Sequence, residues 1–226
     1  MDVRPLLLGH RGTRSHKSIP ENTLEAFDFA LASGCDGFEF DVRLSADGKA
    51  VICHDEATPA LDLEIVHCAG EELDLPLLRK VLSRYCGKAF LDIELKVAGV
   101  ERITADLLRE SKVDRDSLVV SSFLPGVLES LHRVDAKVPL GLICETQTQL
   151  RRWLKLPIEY VIPHYKLVRR ELISELKSAG KKIIVWTVNT PAAMKRFAKS
   201  GVDGIVSDNP QQLFHILREQ PIEKNN

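Results

Sequence analysis

The chain has 226 residues, 44% of them hydrophobic and 28% charged, with a formal net charge of −1. That balance describes one ordinary globular domain with a sizeable core, and it gives no electrostatic ground for binding nucleic acid. No apolar run approaches the roughly 20 residues that cross a bilayer, and Met1 lies too close to the first apolar run for a signal peptide. A soluble, cytoplasmic protein with no stable membrane insertion is expected, and nothing sets its oligomeric state. Cys35, Cys53, Cys68, Cys86 and Cys144 are scattered and odd in number, without C-x-x-C spacing, so neither a disulfide framework nor a zinc site is predicted. Cys35, Cys53 and Cys144 sit in apolar surroundings and are expected in the core as reduced thiols.

In chain order, Leu6-Leu7-Leu8-Gly9 opens a strand near 5–10 that runs into His10-Arg11-Gly12. A helical pattern follows from Thr23 to Ser33, with Asn22 as its N-cap and Gly34 as its stop. Strands near 37–44 and 50–54 deliver Glu39-Phe40-Asp41 and His54-Asp55. Residues 56–74 are polar and irregular, and read as a short insertion on the active face after the second strand region. A helix from Leu75 to Tyr85 leads to a strand near 89–95 with Asp92, Glu94 and then Lys96. Strands near 117–122, 139–144, 160–164, 182–188 and 204–207 complete the series. Helical patterns at Val100–Ser111, Arg169–Ala179 and Ala192–Lys199 lie among them, the last two closed by Gly180 and Gly201. Strands separated by helices imply βαβ units and a parallel sheet. Eight units in a domain of this size predict an α/β fold of the (β/α)8 barrel type over residues 1–220, with a frayed tail at 221–226. In such barrels the chemistry gathers where strands end and βα loops begin.

The charged residues fall at those ends. Glu39 and Asp41 are two apart on a strand and leave the same face, while Phe38, Phe40 and Val42 take the other; Asp92, Glu94 and Lys96 share a face by the same rule. Converging carboxylates repel unless a positive charge lies between them, and a hard divalent cation with oxygen ligands is the simplest solution. Glu39, Asp41 and Glu94 are the expected ligands of one Mg2+ or Ca2+ ion. Histidine is the side chain suited to exchanging acid and base roles near neutral pH, which makes His10 and His54 candidates for that work. Arg11 offers a planar fork of donors for phosphate oxygens and Lys96 a second charge. Asp55 is expected to orient a ligand from behind and not to bind the metal directly. Glu21 is open to three roles: metal ligand, partner of Arg11 or His10, or helix cap. Trp186 would serve either as a wall for substrate carbons or as core, and Phe123 has the same ambiguity. His164 reads as structural or as a substrate contact, and Lys166, Arg169 and Arg170 as a solvated helix start or as a cluster that attracts anionic substrates.

The set His10-Arg11-Gly12, Glu21-Asn22-Thr23, Glu39-x-Asp41, His54-Asp55 and Glu94-x-Lys96 resembles the glycerophosphodiester phosphodiesterase family. Ser121-Ser122-Phe123, Trp186-Thr187-Val188-Asn189 and the stretch 201–210 extend the resemblance to the last strand. An Arg-Thr-Thr-like stretch after His54-Asp55 is missing, and the insertion that covers the site in that family is short here. The resemblance implies a metal-dependent enzyme that hydrolyses glycerophosphocholine or glycerophosphoethanolamine to sn-glycerol 3-phosphate and an alcohol, with His10 and His54 as the catalytic pair. Attack by water and attack by the neighbouring glycerol hydroxyl both fit. The alternative substrate is a lysophospholipid, as in lysophospholipase D; a non-catalytic phosphate-binding barrel would require the loss of an acid or a histidine.

Overall fold

The computed structural model describes residues 4–58, 63–64 and 75–218. Eight parallel strands pair in sequence and close on themselves: β1 (Leu6–Gly9), β2 (Gly37–Leu44), β3 (Phe90–Leu95), β4 (Leu118–Ser122), β5 (Leu140–Cys144), β6 (Tyr160–Pro163), β7 (Lys182–Val185) and β8 (Gly204–Ser207). Closure is the parallel pairing of β1 with β8 on one side and with β2 on the other. The helices α1 (Leu24–Ala32), α2 (Leu78–Tyr85), α3 (Glu101–Glu110), α4 (Pro125–Val134), α5 (Gln147–Leu150), α6 (Arg170–Ser178), α7 (Pro191–Ala198) and α8 (Pro210–Arg218) alternate with the strands. This is the expected (β/α)8 barrel.

Strand alternation builds two separate apolar clusters. Leu8, Phe90, Val119, Ile143, Ile162, Ile184 and Val206 fill the lumen. Their chain neighbours Leu7, Leu91, Val120, Leu142, Val161, Val185 and Ile205 point outward into the core beneath the helices. On β2 that outer layer is aromatic: Phe27 of α1 stacks on Phe38 with centroids 4.3 Å apart, and Tyr85 of α2 meets Phe38 edge-on. The close approach of β2 to β3 requires Gly37, since a Cβ there would lie 1.8 Å from the Phe90 carbonyl oxygen. The far end of the barrel is held by two matching clasps. Asp36 accepts from the Leu7 amide at 2.8 Å and pairs with Arg4, and Asp203 accepts from the Ile183 amide at 2.6 Å and pairs with Lys177. These aspartates lie opposite the mouth, where barrel residues serve stability.

Three expectations need correction. The strand expected near 50–54 is Ala50–Ile52, which is not a barrel strand: it runs antiparallel to β2, pairing Ile52 with Val42 and Ala50 with Leu44. The reason is length. β2 projects beyond the ring, residues 45–49 turn back with the Ser45 amide on the Lys49 carbonyl at 3.0 Å, and five residues cannot make the crossover of a dozen or more that parallel pairing needs. Next, Thr23 and not Asn22 caps α1, its hydroxyl accepting from the Ala26 amide at 3.1 Å. Finally, Cys53 is only half-buried, whereas Cys35 and Cys144 are buried and burial pushes both thiols up to about 12. Of the expected insertion at 56–74, Ala57–Thr58 and Leu63–Glu64 pair antiparallel. Its remainder beyond Glu56, Cys68 and the tail 221–226 lie outside the described residues.

Candidate active site

At the end of β1 the chain turns sharply through Arg11 and Gly12, both with positive φ (49° and 77°). Gly12 packs on α1 so closely that a Cβ would sit 2.5 Å from the Ala26 carbonyl carbon. The left-handed conformation of Arg11, costly for a residue with a Cβ, aims its amide at Glu39 Oε2 (2.9 Å). Its guanidinium reaches Glu21 Oε1 at 2.5 Å and Asp41 Oδ2 at 3.1 Å. Glu21 takes a second arginine, Arg14, at 2.5 Å. Among the three roles open to Glu21, the geometry is that of an arginine anchor.

β2 and β3 carry the acids in register: Glu39 pairs with Asp92, and Asp41 with Glu94. All four are buried, and carboxylate oxygens of Glu39, Asp41 and Glu94 lie within 4.8 Å of one another, the one such group of three among the described residues. Burial, then the charges of Asp41, Glu94 and Asp92, hold the Glu39 carboxyl well above the usual range. Burial also pushes Asp92 to about 7, against the pull of a 2.6 Å bond from the Ser121 hydroxyl. Glu94 rises to about 7 through burial and the charge of Asp41, with Lys96 opposing. Asp41 moves down: burial opposes this, but Lys96, Arg11 and a 2.8 Å bond from Asn22 Nδ2 outweigh it. Lys96 Nζ lies 2.7 Å from Glu94 and 3.4 Å from Asp41.

Two cations therefore face four acids, and the excess negative charge is relieved only by protons or by further positive charge. Glu39 Oε1 and Asp41 Oδ1 are buried without a hydrogen-bond partner, a state that is costly unless something binds them. An all-oxygen donor set with two unsatisfied buried lone-pair donors fits a hard divalent cation.

His10 and His54 both line the cavity of about 350 Å³ above these acids, and their supports differ. His10 Nδ1 lies 2.6 Å from Asp208 Oδ1. Asp208 is itself fixed by Asn189, whose amide donates to Oδ2 at 2.5 Å while its carbonyl accepts from the Asp208 amide at 3.0 Å. Although burial opposes it, the bond from His10 and that from Asn189 keep Asp208 below the usual carboxylate range. With Nδ1 donating to Asp208, His10 Nε2 is left free, 3.8 Å from Glu39. His54 instead arrives on the antiparallel strand Ala50–Ile52, which lies along the edge of β2 not used by β3. Its carbonyl accepts from Arg43 Nε at 2.8 Å, and its Nδ1 lies 2.8 Å from Asp55 Oδ1.

The opposite side of the mouth is apolar. Phe123, Ile143, Ile162, Trp186 and Val206 line it. Trp186 donates Nε1–H to the Ile162 carbonyl at 2.9 Å and meets Phe123 edge-on at 5.6 Å. It is half-buried, lines the cavity and, like Phe123, packs on the apolar cluster of the lumen. His164 packs against Trp186 at 5.3 Å and accepts from the Lys166 amide, a structural placement.

The fold thus brings together His10, His54, Glu39, Glu94, Arg11, Lys96 and Trp186 around one cavity, with Asp41 beneath it and Glu21 and Asp55 beside it. Sequence reasoning missed the functions of Asn22, Arg14, Asn189 and Asp208. Asn22, Asn189 and Asp208 lie within motifs of the resemblance, but no local pattern pairs them with Asp41 or His10.

A protein of Caldanaerobacter subterraneus named glycerophosphodiester phosphodiesterase is 30% identical, covering 96% of this chain and 99% of its own length. A mouse lysophospholipase D is 22% identical over 96% of this chain and 83% of its length. The structure of an Oleispira antarctica phosphodiesterase in complex with the product sn-glycerol-3-phosphate superposes with a TM-score of 0.82 at 24% identity, covering 96% and 98%. At that identity the likeness speaks for the fold. Barrel, site and relatives together define an enzyme, a hydrolase of the phosphodiesterase class. The model of the Glycerophosphoryl diester phosphodiesterase family matches residues 10–73 and 80–212, and the chain belongs to that family.

Proposed function

We propose that the protein is a single-domain, cytoplasmic, metal-dependent glycerophosphodiester phosphodiesterase that releases sn-glycerol 3-phosphate and an alcohol from substrates such as glycerophosphocholine. The observation that carries this reading is the convergence of Glu39, Asp41 and Glu94 beneath two histidines and two fixed cations in one cavity. Those three acids would hold one Mg2+ or Ca2+ ion. When bound, such an ion supplies charge neutralisation at phosphoryl oxygens and lowers the pKa of a coordinated hydroxyl.

The remaining work falls to the side chains. His10 presents Nε2 to the cavity because Asp208 occupies Nδ1, and His54 is held likewise by Asp55; one takes the proton of the attacking oxygen, the other gives one to the departing alcohol. Lys96 and Arg11, kept charged by the surrounding carboxylates, add positive potential where phosphoryl charge grows. Trp186 and Phe123 would flank the glycerol carbons. The test is turnover of glycerophosphocholine by purified enzyme. Chelator should abolish it and Mg2+ or Ca2+ restore it; full activity in excess chelator overturns the proposal.

A lysophospholipid substrate is favoured by two observations, the apolar half of the mouth and the mouse relative. An acyl chain needs an apolar rim, and the apolar residues of the insertion, Leu61, Ile65 and Val66, lie outside the described residues, as does the side chain of Leu63. Comparing kcat/KM for glycerophosphocholine and lysophosphatidylcholine decides between the two.

A further inference from the structure

The near-zero net charge hides a strong segregation. Residues 145–200 carry twelve Lys and Arg against four Glu, whereas the rest of the chain carries nineteen against twenty-eight acids. This span holds α5, the 3-10 turn Arg151–Lys155, α6 and α7, which cover the neighbouring strands β5, β6 and β7. They therefore form one continuous flank of the barrel.

Elsewhere on the surface some exposed cations are paired, Arg79 with Glu110, Arg84 with Asp28 and Arg109 with Asp106, and those without an ion pair among the described residues, such as Lys17, Lys88 and Lys137, are scattered along the chain among its many acids. On this flank Lys177, Lys181 and Lys182 are engaged with Asp203, the Ile158 carbonyl and the Tyr160 hydroxyl. Nine others have no carboxylate partner among the described residues: Arg151, Arg152, Lys155, Lys166, Arg169, Arg170, Lys195, Arg196 and Lys199. Arg169, Arg170, Arg196 and Lys199 surround a single cleft of about 480 Å³ between α6 and α7. Amid the basic residues Arg151–Lys155 stands Leu154, 65% exposed, one of two exposed large hydrophobic residues among those described.

We propose that this flank docks the enzyme on an acidic phospholipid bilayer. Clustered, unpaired Lys and Arg are drawn to anionic headgroups, each contributing about a fivefold gain in partitioning. The cleft offers four of them to one phosphate, and Leu154 can enter the headgroup region without any segment spanning the membrane. Nucleic acid fits less well, because Trp153 and Phe197 are buried among the basic residues and the half-buried Tyr165, covered by Lys166, is a poor platform for bases. The inference is independent of the catalytic reading.

The test is co-sedimentation of the full chain with phosphatidylcholine vesicles, with and without phosphatidylglycerol. Binding should require the acidic lipid and disappear near 0.5 M salt, where screening is complete within about 5 Å. R169Q/R170Q/R196Q should lower partitioning about 100-fold, with the melting temperature and circular dichroism of the wild type. Equal binding to neutral vesicles, undiminished binding by the triple variant, or a preference for single-stranded RNA over acidic vesicles would each overturn the proposal. Because vesicle binding is read without turnover, its failure leaves the proposed reaction untouched.

Discussion

The two halves of the barrel mouth are built on opposite principles. On β1, β2 and β3 the strand ends carry His10, Arg11, Glu39, Asp41, Asp92, Glu94 and Lys96, densely paired yet leaving Glu39 Oε1 and Asp41 Oδ1 buried without a partner. From β4 to β8 the same positions carry Phe123, Ile143, Ile162, Trp186 and Val206. The charged half can bind and polarise a phosphoryl group. The second half mainly excludes water and fits carbon, Glu145 and Thr187 being its polar lining and Asp208 its hold on His10. The contrast teaches that chemistry and substrate choice are separable here, and variants on the two halves should fail in different ways.

The sharpest break should come from Glu94→Gln or His10→Ala. Loss of a proton-transfer group typically costs about 10²–10⁴-fold, so kcat should fall by that order in His10→Ala while KM changes little. Glu94→Gln should in addition lose metal binding, read by calorimetry. Asp208→Asn should come next. It preserves shape but replaces two acceptor oxygens, which serve His10 and Asn189, with one oxygen and one NH2. One of the two bonds is then lost and the His10 tautomer is no longer fixed; outer partners of this kind are typically worth about 10–100-fold. A loss in kcat without a change in KM checks it, and Asn189→Ala should give a smaller loss of the same type.

Acid titration sharpens the contrast further. Asp92 and Glu94 are shifted up to about 7, so the fold binds their protons more tightly than the unfolded chain does. Their stabilising contribution is complete below about pH 4 and is lost as pH rises through about 7. The depressed carboxylates Asp36 and Asp208 are already ionised by pH 5 and do not mask the effect. Metal-free protein should therefore melt lower at pH 8 than at pH 5, and Mg2+ or Ca2+ should raise the melting temperature more at pH 8, where the ligands are ionised. The smallest effect belongs to the apolar half. Trp186→Ala should raise KM by less than about tenfold with kcat nearly intact, consistent with loss of uniform binding.

Much of the site was legible because strand periodicity is simple. Residues two apart share a face, so Glu39 with Asp41 and Asp92 with Glu94 declared themselves before any coordinates. The direction of a strand leaves no such mark: the run at 50–54 has the composition of a barrel strand, and only the five-residue connection before it betrays the antiparallel return. Asn22 looked like a cap because cap and ligand-positioning asparagines share one chemistry. Its bond to Asp41 depends on how the β1–α1 loop folds over the mouth. Asp208 was hidden for a different reason. Its partner lies 198 residues away in the chain, and no local pattern encodes a contact made only by ring closure.

That last contact has a consequence for how the enzyme comes into being. The imidazole at position 10 is made early in synthesis, yet the group that sets its tautomer arrives on the final strand, across the seam where β1 meets β8. A nascent or truncated chain lacking that strand would possess every acid of the mouth and both imidazoles, and still hold the first of them unaligned. The seam ties the onset of activity to the completion of the ring.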